Sequence, residues 1–135
     1  MGYYFSRTLR APFADAIAAT RAALADEGFG VITEIDVQQT LKTKIGEDFR
    51  PYTILGACNP RMAFEALELE DKVGAMLPCN VVVQQLADGR CEVAAIDPVA
   101  SMQAIDNAEL KVKAAAVGEK LRAAIEKIAE TDAAA

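Results

Sequence analysis

The chain predicts an α+β fold, a mixed sheet with helices packed mainly on one face, in the order β-α-β-α-β-α-β-β-α. Three observations predict it. Segments with helical periodicity alternate with short β-branched runs, and an Asp88-Gly89 turn joins two neighbouring strand-like segments into a hairpin, which argues against an all-parallel sheet. A hydrophobic content of 53% with only 6% aromatic residues describes a core of small aliphatic side chains. At 135 residues the chain can bury such a core without disulfides or a structural metal. Residues 1–130 read as one domain and residues 131–135 as a frayed tail.

Each element has its own signal. Tyr3 to Leu9 is aromatic and β-rich, and Ala11-Pro12 ends it and opens a helix. Phe13, Ile17, Thr20 and Leu24 recur along one helical face, with Gly28 as a left-handed stop. Gly30 to Ile35 has the β-branched content of a strand, although it alternates only loosely. Asp36 with Gln39 resembles a capping box, and Val37, Leu41 and Ile45 form the stripe of a short helix before Gly46. Tyr52 to Ala57 is a compact apolar strand that runs into Asn59-Pro60, an N-cap followed by proline at the first helical position. Met62, Ala63, Ala66, Leu67 and Leu69 supply the inward face of that helix until Gly74. Val81-Val82-Val83 belongs to a strand starting near Cys79, and its hairpin partner spans Arg90 to Ile96. Asp97-Pro98 repeats the cap-then-proline signal for a short turn through Met102. Leu110, Ala114, Val117, Leu121, Ile125 and Ile128 then mark the last helix, with Asp106 and Glu109 at capping-box spacing. The lysines and arginine on its outer face alternate with glutamates, which describes solvated ion pairs.

Composition excludes several function classes. The chain has no histidine, which removes the usual neutral-pH general base, the common zinc ligand and the histidine-activated nucleophile. A formal charge of −6 and a pI near 4.7 oppose binding to a phosphate backbone, so no nucleic-acid partner is expected. No apolar run reaches membrane-spanning length, and the first residues lack the pattern of a secretory signal. A cytoplasmic location with no membrane partner is therefore expected. Cys58, Cys79 and Cys91 are an odd number of cysteines, which favours free thiols.

The candidate site rests on two cysteine-asparagine pairs, Cys58-Asn59 and Cys79-Asn80. A cysteine just before a helix faces unpaired backbone N–H groups and the positive end of the macrodipole, which stabilise negative charge. Cys58 can thus be activated without histidine, with Arg61 nearby in the first helical turn. Packing competes as an explanation, because free cysteine often fills buried corners as a small hydrophobe. Cys91 lacks the asparagine or proline context and reads as packing. Asn59 has a sufficient role as an N-cap, whereas Asn80 enters a valine-rich strand and must pair its amide or face solvent. The candidate ligand-binding residues are Cys58, Asn59, Cys79 and Asn80. No catalytic residue, cofactor or metal site is assigned. The two cysteines do not have zinc-knuckle spacing, and thiolates with Met76 would suit Cu(I) better than zinc. No glycine-rich phosphate loop is present.

Phe29-Gly30-Val31, Ile54-Leu55-Gly56-Ala57-Cys58-Asn59-Pro60, Leu77-Pro78-Cys79-Asn80-Val81-Val82-Val83 and Asp97-Pro98 together resemble the domain-of-unknown-function-302 family over nearly the whole chain. That resemblance implies a small α+β domain that often pairs as a homodimer, with no reaction to transfer. It singles out Cys58, Asn59, Pro60, Pro78, Cys79 and Asn80 as motif positions. The expected function is a small non-catalytic ligand-binding or assembly domain, with a small anion or a thiol as its expected ligand. The alternative is a cysteine-dependent enzyme handling thiols, persulfides or redox equivalents.

Overall fold

A computed structural model describes residues 2–130, so the expected tail at 131–135 lies outside the described residues. The elements are β1 (Tyr4–Leu9), α1 (Phe13–Asp26), β2 (Gly30–Asp36), α2 (Val37–Ile45), β3 (Tyr52–Cys58), α3 (Pro60–Leu69), β4 (Cys79–Gln85), β5 (Cys91–Ile96), α4 (Pro98–Ser101) and α5 (Ala108–Glu126). A 3₁₀ turn at Val73–Met76 separates α3 from β4. The five strands form one sheet in the order β1-β5-β4-β3-β2. The fold is α+β. Its sheet is antiparallel at every pairing rather than mixed: β2 to β5 are successive neighbours, whereas α1 carries the chain from β1 at one edge to β2 at the other, and β5 returns beside β1.

Strand alternation assigns the two faces. Leu9, Thr53, Leu55, Ala57, Cys79, Val81, Val83, Cys91, Val93 and Ala95 are buried on one face. Thr20 and Leu24 of α1 and Leu121, Ala124 and Ile125 of α5 are buried as well, completing the main core beneath the sheet. A second, smaller cluster joins Ala66 of α3, Val73, Met102, and Leu110 and Ala114 of α5, with Leu77 packed against both. The loose alternation of β2 has a physical cause. The register shifts between Val31 and Thr33, so Ile32 is the extra residue of a β-bulge and is 63% exposed.

Several local signals operate as expected. Asp36 accepts from the Gln39 N–H at 2.9 Å, although the Gln39 side chain turns to Thr43 instead of completing a capping box. Gly28, Gly46 and Gly89 all have positive φ, as left-handed stops and the hairpin turn require. Three expectations need correction. α3 ends at Leu69 rather than near Gly74, and Leu67 is 44% exposed instead of facing inward. The cap of α5 is Asn107 rather than Asp106. Its Oδ1 accepts from the Leu110 N–H at 3.0 Å and its Nδ2 donates to the Leu69 carbonyl at 2.9 Å, tying α5 to the end of α3. Two lysines of the last helical segment pair across elements rather than along it, Lys113 with Glu65 at 3.2 Å and Lys127, just past the end of α5, with Glu27. The contact with Lys127 draws the Glu27 carboxyl below its ordinary range and raises Lys127.

Arg7 has a role that periodicity does not reveal. It points to the helix side of β1 and donates to the carbonyls of Ile128 at 2.6 Å, Glu126 at 3.0 Å and Ile125 at 3.5 Å. These carbonyls lie at the end of α5, where intrahelical donors run out and a cation meets the negative end of the macrodipole.

Candidate functional site

The corner between β3 and α3 follows from three consecutive residues. Cys58 ends the strand, Asn59 is extended (φ −102°, ψ 106°), and Pro60 opens the helix. The Asn59 Oδ1 accepts from the Met62 N–H at 3.2 Å, and its carbonyl accepts from the Ala63 N–H at 2.9 Å. Pro60 has no N–H to offer. The helix start that the sequence offers to an anion is therefore largely satisfied by its own cap, and this explains Asn59 without a ligand.

The second motif segment meets the first across the sheet. Ala57 pairs with Cys79 and Gly56 with Asn80, and the Leu77-Pro78 peptide is cis. A Cβ at Gly56 would come within 2.7 Å of Pro78 Cγ and closer still to Thr33 Oγ1. Glycine at this position permits the approach of both neighbours.

Cys58 and Cys79 line the same cavity, at the seam between the two apolar clusters. Its volume is about 50 Å³, and its walls include Phe29, Met62, Ala66, Leu77, Met102 and Val117. Cys58 is half-buried, whereas Cys79 is buried and its thiol is pushed up to about 11, first by burial and second by the nearness of Cys58. Cys79 is thus a neutral thiol at physiological pH, a poor nucleophile as it stands. Cys91 lies at the far end of β4–β5, where its Sγ donates to the Ala11 carbonyl at 3.4 Å and burial raises its pKa. It takes no part in the cavity.

The structure divides the four sequence candidates. Cys58, Asn59 and Cys79 share the cavity, but Asn80 follows Cys79 in a strand and stands on the opposite face. Asn80 instead lines a shallow depression of about 370 Å³ with Tyr3, Tyr4, Tyr52, Val82 and Ile96. The register sets Ser6, Ala94, Val82, Ile54 and Ile35 side by side across all five strands on this outer face. A flanking row holds Glu92 and Gln84, whose amide donates to Glu92 at 3.1 Å while its oxygen accepts from Arg50 at 2.8 Å. Sequence reasoning does not single out Met62 and Met102 for the cavity. The start of α3 at Pro60 is a signal for Met62, because it places that residue in the first turn beside Cys58, but nothing local brings Met102 there. Met76, weighed from sequence as a sulfur ligand, is 37% exposed and is absent from the cavity wall.

Fold and site together define a class: small α+β domains in which an antiparallel sheet covered by helices carries two Cys-Asn segments on adjacent strands. The family model described as Domain of unknown function DUF302 matches residues 5–128, and the chain belongs to this family. Among solved structures it is similar to one described as an uncharacterized conserved DUF302 protein from Bacillus stearothermophilus. The two are 26% identical, with a TM-score of 0.89 over 96% of this chain and 100% of that one. No curated protein matches the chain. No helix among the described residues is long and apolar enough to cross a membrane.

Proposed function

We propose that this protein is a non-catalytic binding and assembly module whose outer sheet face seats a second copy of the same chain. The chemistry of that face carries the reading. An antiparallel sheet with helices on one side ordinarily turns polar residues outward. Here the central outward row holds Ala94, Val82, Ile54 and Ile35, with Tyr4, Ile96 and Tyr52 on flanking rows beside the polar Asn80, Gln84 and Glu92. An apolar centre with a polar margin matches an interface, and a patch that meets itself produces two-fold pairing. Sedimentation equilibrium tests this. Wild-type protein is expected to dimerise, and Val82→Lys is expected to be monomeric with an unchanged circular dichroism spectrum. A monomeric wild type, or a dimer indifferent to Val82→Lys, overturns the assignment.

The cavity shared by Cys58 and Cys79 supports a second reading, a thiol site that holds a very small ligand or handles thiols, persulfides or redox equivalents. The neutral state of Cys79 favours binding over turnover. Native protein treated with inorganic polysulfide and analysed by intact mass spectrometry distinguishes the two: adduct formation at Cys58 supports reactive sulfur chemistry, and inert thiols remove the enzymatic version.

A further inference from the structure

We propose that the Cys58–Cys79 cavity binds one Cu(I) ion through sulfur, an inference that rests on reading this cavity as a binding site. Sequence spacing gives no reason to expect a metal there. Folding changes the donor set. Cys58 from the end of β3, Met62 from α3, Cys79 from the start of β4 and Met102 just beyond α4 all line the same space. The chain has only three cysteines and four methionines, so four of its seven sulfur atoms belong to residues of this one wall.

Size and chemistry then select the ligand. A cavity of about 50 Å³ is far below the roughly 300–1,000 Å³ of organic ligand pockets, yet it admits a single ion. The lining has no carboxylate or histidine, the Asn59 oxygen is engaged by the Met62 N–H, and Lys113 pairs with Glu65 at 3.2 Å. Magnesium and calcium need oxygen ligands, and zinc needs a fuller set of cysteine, histidine or carboxylate groups than two thiols provide. Thiolate and thioether donors select Cu(I). A monovalent cation offsets one of the two thiolate charges, so the apolar cavity holds less net charge than two bare thiolates would bring. Binding breaks the S–H bonds of Cys58 and Cys79, forms two sulfur–copper bonds and releases two protons to water. Copper arrives and remains as Cu(I), so no electron is transferred.

Anaerobic titration against the chromophoric Cu(I) chelator bicinchoninate tests the proposal. The folded protein is expected to withdraw one equivalent of Cu(I), with a sulfur-only first shell by X-ray absorption. Cys58→Ala and Cys79→Ala are expected to lose that equivalent, whereas Cys91→Ala retains it. If either alanine variant fails to fold, the Met62→Leu/Met102→Leu double variant still decides the question, because it conserves volume. Its expected result is weaker competition with bicinchoninate by about tenfold or more. No copper uptake by the wild type, or uptake unchanged in both Cys58→Ala and the double leucine variant, overturns the Cu(I) site. Failure of copper binding alongside a polysulfide adduct at Cys58 leaves the cavity as a thiol site without metal. Failure of both removes the cavity reading itself.

Discussion

Raising the pH above 9 is expected to destabilise the protein through Cys79 in a way that its alanine variant does not share. Cys79 is 6% exposed, and its pKa rises from an ordinary 9.0 to about 11 because the buried thiolate loses its hydration. Below pH 9 both folded and unfolded chains keep the proton, so the contribution of the thiol is fully present. Between about 9 and 11 the unfolded chain releases the proton while the folded chain holds it, and unfolding becomes more favourable by about 1.4 kcal/mol per pH unit. The full effect is about 3 kcal/mol, of which about 2 kcal/mol is lost by pH 10.5. Lysines, tyrosines and Cys91 also titrate in this range, so the informative quantity is the difference between wild type and Cys79→Ala. Urea unfolding at intervals from pH 8 to 10.5, with m-values checked for constancy, measures it. The stability advantage of wild type over Cys79→Ala should shrink by about 2 kcal/mol across that range. A constant difference refutes the reasoning, since it means that the folded state accommodates the Cys79 thiolate as readily as water does.

Two further variants test how the sheet is held. Arg7→Met keeps most of the aliphatic stem but removes the donors to the three carbonyls at the end of α5. It should cost about 2 kcal/mol in urea unfolding, with partial recovery in Arg7→Lys, and a loss within about 0.5 kcal/mol shows that water replaces the guanidinium. Gly56→Ala places a methyl against Pro78 and Thr33 and should cost roughly 1–3 kcal/mol despite the usual gain of replacing glycine in a strand. Adding Thr33→Ala should return part of that stability, and no recovery in the double variant assigns the strain to Pro78 alone.

Much of the local structure is legible because its causes lie within a few residues. Asp36, Asn59-Pro60 and Asp97-Pro98 each start a helix, with the acidic or amide side chain accepting from a first-turn N–H. The stripe from Leu110 to Ile128 faces the interior through the last helix, with only Val117 partly exposed. What escapes sequence reading depends on distant partners. Asp106 and Asn107 are both acceptable caps by type, and Asn107 is the one used because its amide also reaches Leu69. Ile32 breaks the alternation of β2 only because Val31 and Thr33 pair with consecutive residues of β3. The cavity is non-local in the same sense, with walls from two clusters that meet only when α4 and α5 fold back over the start of β4.

The cysteine-asparagine motif looks like one site in sequence because its two residues are adjacent. In β4 that adjacency separates them. Successive side chains of a strand face opposite ways, so Cys79 enters the apolar cavity while Asn80 reaches the outer depression. At the end of β3 the motif behaves differently, since Asn59 leaves the strand to cap α3 and Cys58 stays beside the cavity. The two asparagines therefore do unlike work, and only the cysteines converge. This separates the proposals experimentally. Val82→Lys acts on the face that carries Asn80 and should abolish pairing while copper uptake persists. The Met62→Leu/Met102→Leu variant acts on the cavity and should weaken uptake while the dimer persists. Loss of both properties in either variant would show that the sheet couples its two faces, and that neither surface functions alone.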